Sequence, residues 1–166
     1  MAPITEETAI AWHEAGHAVV SRAWGVPVKK VSIKSFPPST VYCRSRTPEE
    51  GVWITQAGRV TVMELLTSPV LAHYGAEGDD QALEAFLKGF KTISECDRVM
   101  AEVADGLPSL VRKNRVGIER VAQELIEKRE ISGKRLGEVL RGVLQPQKPL
   151  GKEHLRVRIK RWFGLC

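Results

Sequence analysis

The stretch "AWHEAGHAVV", residues 11–20, decides how this chain is read. His13 and His17 stand four apart, with Glu14 directly after the first. On an α-helix, residues four apart lie one above the other on a single face. Both imidazoles can therefore reach one metal ion, and neutral imidazole is a favoured zinc ligand. Glu14 is then placed to take a proton from a metal-activated water rather than to bind the metal, which is the mechanical logic of H-E-x-x-H. The competing reading is an ordinary helix with two satisfied histidines. Ile10, His13, His17, Val20 and Trp24 recur at intervals of three and four, the apolar stripe of such a helix. The histidines thus point inward, where unpaired polar groups are costly. Gly16, about 1 kcal/mol worse than alanine in a helix interior, points to close approach by another element.

Working outward, Thr5 is the natural N-cap, with Glu6 and Glu7 in a first turn that suits acids. The helix is expected to run to about Trp24 and stop at Gly25, with Pro27 beyond. "VKKVSIK" (28–34) reads as a strand and "TVYCRS" (40–45) as a second, exposed one, with a turn around "TPEEG". A helical pattern follows from about Thr55 to Ala76, kinked or restarted at Pro69. "GAEGDD" reads as a break. Residues 80–90 and 92–105 read as two helices or one interrupted near Gly89, ending at Gly106-Leu107-Pro108. A long amphipathic helix is expected over about 108–129, and Ser132 caps a last one through about Leu144. The expected fold class is mostly α with a small β-sheet (α+β).

The length of 166 residues suffices for one domain with a real core, and 43% apolar with 27% charged residues is ordinary globular composition. No apolar run approaches the roughly 20 residues of a membrane span, and the acidic start "MAPITEETAI" is unlike a signal peptide. Three widely spaced cysteines (Cys43, Cys96, Cys166) without a CxxC pair fit a reducing compartment. A cytoplasmic protein is expected. Six Lys/Arg and one acid in residues 146–166 account for the whole net charge of +5, so residues 1–145 are neutral. A basic protein-wide surface is lacking, which argues against nucleic acid as a partner. Residues 1–145 read as the domain and 146–166 as a linker and basic tail. "KEHLRVRIKRWFGLC" suits either peripheral contact with an anionic membrane or acidic partner, or a plain strand or solvated terminus.

A catalytic zinc normally has three protein ligands and an open position. His154 lies in the basic tail, and His73, in "VLAHYGA", better suits a capping or structural role. In "TISECDRVMAEVAD" (92–105), Ile93, Cys96, Met100, Val103 and Leu107 form an apolar stripe that includes Asp97. A carboxylate on a buried face needs a partner, either a metal or a buried arginine.

"HEAGHAVV", "SECDRV" and "AQELIEKREISGKRLGEVL" (122–140) together resemble the peptidase domain of the FtsH-type zinc proteases, over roughly residues 6–144. The resemblance implies His13 and His17 as ligands of a zinc ion (Zn2+), Glu14 as catalytic base and Asp97 as third ligand. It implies hydrolysis of peptides or unstructured protein segments. That family also carries a membrane anchor and an ATPase module, and neither pattern occurs in these residues; no GxxxxGK[ST] loop is present. Activity independent of ATP is therefore expected of the isolated chain, with a homo-oligomer or a separate ATPase partner left open. Where the family has a cleft-lining strand, this chain has "SFPPSTVYCRSRTPEEG" (35–51). Two rival readings remain: a non-catalytic zinc-containing interaction module derived from such a peptidase, and a peptidase of another H-E-x-x-H lineage.

Overall fold

The computed structural model describes residues 4–34, 37–42, 45, 47–76 and 78–147. Helix α1 spans Glu6–Ala23 and is the centre of the fold, with 12 of its 18 residues buried, including every residue from His13 to Ser21. Thr5 caps it: the Thr8 N–H donates to Thr5 Oγ1 (3.2 Å), and Gly25 ends it at φ +73°, a backbone angle that favours glycine. The small residues Ala11, Ala15, Gly16 and Ala18 explain how one helix can be covered on nearly every side. A Cβ on Gly16 would lie 2.3 Å from Thr61 Oγ1 and 2.8 Å from the Ala57 carbonyl. The close approach expected at Gly16 is therefore that of helix α2.

Helix α2 spans Pro48–Leu65, seven residues earlier at its start than the apolar periodicity suggests. "TPEE" is a helix start rather than a turn. The Glu50 N–H donates to Thr47 Oγ1 (3.2 Å), proline sits in the first turn, where its missing N–H costs nothing, and Glu49 and Glu50 face the positive end of the helix dipole. After α2 the chain turns at Thr67 (φ +51°), forms a short 3-10 turn at Leu71–His73 and reaches helix α3, Asp79–Leu87.

Helix α4, Ile93–Lys113, carries straight through Pro108, where a stop is expected. Val99, Val103, Leu107, Leu110 and Val111 form one continuous buried stripe, and this burial outweighs the hydrogen bond that proline cannot donate. The break comes instead at Asn114, which is buried. Its side chain donates to the carbonyls of Leu110 and Gln145 (3.1 Å each) and accepts from the Gln145 N–H (2.8 Å). Helix α5, Arg115–Lys128, packs Gly117, Ile118, Val121, Ala122 and Leu125 inward and ends on Arg129 at φ +65°. Helix α6, Gly133–Val139, starts at Ser132, whose Oγ accepts from the Arg135 N–H (3.3 Å), and is shorter than its expected reach to Leu144.

The sheet has three antiparallel strands in the order β2-β1-β3: β1 Val28–Ser32, β2 Ser39–Tyr42 and β3 Glu130–Ser132. Val31 is opposite Thr40 on one side and Ile131 on the other. Strand β3, too short to stand out in the sequence, pairs with the other side of β1, so β2 and β3 are the two edge strands of the sheet among the described residues. The mostly helical α+β class is as expected. No described helix is long and apolar enough to cross a membrane. Residues 148–166, with the basic tail and His154, lie outside the described residues, as do Cys43 and Arg44 of the expected second strand.

Candidate metal centre

The two histidines are where the helical spacing places them, one turn apart on α1, with His13 fully buried and His17 nearly so. Their rings meet edge to face at a centroid distance of 4.7 Å. The third donor is not Asp97 but Asp79, the first residue of α3. His13 Nε2 and His17 Nε2 are 3.0 Å apart; Asp79 Oδ2 lies 3.0 Å from the first and 3.2 Å from the second. Three ligands of a tetrahedral zinc at ordinary bond lengths stand about 3.3 Å apart. The observed triangle is close to that, and the group could hold a metal ion.

Asp97 is exposed on α4 and belongs to no such group. The buried stripe of α4 centres on Val99, Val103 and Leu107, and Asp97 lies about 120° round from it at 100° per residue. Ile93, which seemed to extend the stripe toward Asp97, is 80% exposed. His73 is exposed in the 3-10 turn, and Cys96 is a half-buried thiol that donates to the Leu87 carbonyl (3.6 Å).

Backbone geometry fits the site to its donors. A Cβ on Gly58 of α2 would lie 2.4 Å from His13 Nε2 and 2.5 Å from His17 Nε2, so no other residue leaves room for both nitrogens where they stand. Gly75, at φ +87°, brings the chain past the other side of His13. The Ile54 carbonyl accepts a hydrogen bond from His17 Nδ1 (2.7 Å), which puts the proton on Nδ1 and turns the Nε2 lone pair toward Asp79 and His13. A lone pair and a carboxylate 3.2 Å apart repel unless a positive charge sits between them. With only protons available, that charge falls on His17. Burial alone would lower its pKa, but the Asp79 carboxylate, Glu14 and the Ile54 carbonyl together outweigh burial and raise it to about 9. Burial pushes His13 down. Burial would raise Asp79, but the charge on His17 and the hydrogen bonds from His13 and His17 together hold it well below the usual carboxylate range. A divalent cation would answer the same demand from all three donors at once.

Glu14 is buried beside this group and does not join it. The hydroxyl of Thr40, on the open-edge strand β2, lies 2.7 Å from Glu14 Oε2 and 3.1 Å from the Glu14 carbonyl and donates to them. Burial raises the pKa of Glu14, while the charge on His17 and the Thr40 hydrogen bond pull the other way. The site thus combines a three-donor group, an oriented carboxylate and an unpaired strand edge.

Sequence reasoning missed Asp79, Gly58 and Thr40. "GDD" after a glycine did carry a signal, since acids at a helix start are common. That same commonness hid the third donor. Compared with models of known protein families and with curated proteins, the chain matches none.

Proposed function

We propose that this chain is a zinc-dependent endopeptidase of the FtsH type, acting on peptides or unstructured protein segments without ATP as an isolated chain. The observation that carries this reading is Glu14, a buried carboxylate held by Thr40 beside the convergent donors His13, His17 and Asp79. A purely structural zinc site has no use for such a carboxylate. The kinship itself rests on the "HEAGHAVV" helix and on the segment 122–140.

Zinc bound by His13, His17 and Asp79 would lower the pKa of a water toward about 7 and polarise the scissile carbonyl. Glu14 accepts the proton of the attacking water and passes it to the departing amine. A carboxyl raised by burial is suited to both halves of that transfer, because a base of very low pKa would not take the proton. Thr40 keeps one carboxylate oxygen occupied, so the other faces the reaction. An extended substrate pairs along the free edge of β2, adding a strand to the sheet. That selects unfolded segments over folded surfaces.

Cleavage of a library of unstructured peptides, read by mass spectrometry, tests the proposal. Zinc-loaded wild type is expected to cut, and Glu14→Gln to lose about 10²- to 10⁴-fold in rate while retaining its zinc. No cleavage by zinc-loaded wild type would overturn the peptidase reading.

A further inference from the structure

Asp79 is delivered by an unusual element for a metal ligand. Helix α3 has no fully buried residue, and its N-cap, Gly78, makes no side-chain capping bond. The segment before it contains a positive-φ glycine at Gly75 and the short 3-10 turn. Its packing is limited to half-buried Leu83, Phe86 and Leu87 against the core. Yet Asp79 Oδ2 lies within 3.0–3.2 Å of both histidine nitrogens.

Next to Asp79 in the chain is Asp80, and it is bound. Arg59 Nη2 donates to Asp80 Oδ1 at 2.9 Å. Arg59 is half-buried on α2, directly after Gly58, the glycine against which both ligating nitrogens pack. One turn of α2 thus both makes room for the histidines and grips the head of the helix that brings the carboxylate to them.

We propose that Arg59 is a positioning residue for the metal centre: by holding Asp80, it sets the first turn of α3 so that Asp79 meets His13 and His17. The inference rests on the metal-binding reading of those three residues. An ion pair as exposed as this one adds little to folding, Asp80 being 71% exposed. Its effect on ligand placement is therefore separable from its effect on stability.

The sign of the effect discriminates. The Arg59 charge is close enough to act on His13, and a positive charge there repels a cation. By charge alone, Arg59→Gln would tighten metal binding. By positioning, it loosens it.

The test is zinc affinity of the full chain, measured by competition with a chromogenic chelator, with thermal melts of the metal-free forms as the control for folding. Arg59→Gln is expected to weaken zinc binding about 10- to 100-fold, the range for partners that orient a ligand, with an unchanged melt. In an Asp80→Ala background the bridge is already gone, so the same substitution should tighten binding, reversing its sign. Should Arg59→Gln fail to fold, Arg59→Lys, which keeps the charge but loses the planar fork, is expected to weaken binding by less. Equal or tighter zinc binding in Arg59→Gln, or in Arg59→Lys where that variant carries the test, overturns the proposal while the metal reading stands. Wild type that binds no zinc overturns both.

Discussion

The two halves of the candidate metal centre are built in opposite ways. Helix α1 brings His13 and His17 from the best-packed place in the molecule, where each ring is fixed by the core around it and His17 also by the Ile54 carbonyl. Helix α3 brings Asp79 from the periphery, on a helix with no fully buried residue. The histidine half is held by burial, so disturbing it disturbs the fold. The aspartate half is held by half-buried Leu83, Phe86 and Leu87 and by polar contacts at its first turn, so its first turn can be disturbed with the fold intact.

The largest effect should come from breaking the histidine half through the backbone. Gly58→Ala puts a methyl where both Nε2 atoms now pack, at 2.4 and 2.5 Å. Metal binding should be lost and unfolding made easier by about 1–3 kcal/mol, the usual cost of overpacking, as read by zinc titration and urea denaturation. Breaking the aspartate half should cost less stability than that, chiefly the charge pair of Asp79 with His17 in the metal-free chain. Asp79→Asn is expected to weaken zinc binding by more than the 10- to 100-fold typical of an outer-shell partner, whereas Asp97→Asn should bind like wild type. Equal effects of the two in the same chelator assay would refute the placement of the third ligand on α3.

A smaller effect is expected at the base. Thr40→Val removes the hydroxyl that donates to Glu14 (2.7 Å). A hydrogen bond to a charged group is worth about 1.5–3 kcal/mol, so peptide cleavage should fall about 10- to 100-fold at unchanged zinc content, with Thr40→Ser restoring most of it. An unchanged rate in Thr40→Val would show that the core alone holds Glu14. The smallest effect lies far from the centre, where Arg135 and Lys128 hold Glu124 and lower its pKa to about 2 from an ordinary 4.5. A depressed carboxyl stabilises the fold fully above about pH 4.5 and loses that contribution as pH falls through about 2. Urea midpoints should therefore drop less steeply over that window in Glu124→Gln than in wild type, and parallel curves would remove the pair from the stability of the α5–α6 corner.

Much of the first half was legible in the sequence. Thr5, the His13–His17 spacing and Gly25 define α1 from its cap to its stop, because caps, helical periodicity and the φ preference of glycine are local properties. Gly16 likewise announced a close neighbour, although only the fold identified it as α2. Where local rules gave two readings, the sequence favoured the wrong one. "TPEEG" suits a turn as well as a helix start, and Pro108 suits a helix end until the stripe from Val99 to Val111 is seen to be buried throughout. Asp97 lies on an apolar face only if Ile93 belongs to that face, and Ile93 is 80% exposed.

By itself, then, the sequence determined the helix that carries His13, Glu14 and His17 and the mostly helical class with its small sheet. It could not determine the third member of the donor group. Asp79 lies 62 residues beyond His17, and in the chain it is one acid among several at a helix start, a place where acids are stable without any metal. What singles it out is distance in space: α2 lies between the two segments in sequence and packs against both helices, presenting Gly58 to the histidines and Arg59 to Asp80. Helical spacing is a property of one segment, whereas the meeting of three donors depends on how segments pack, and that only the tertiary structure decided.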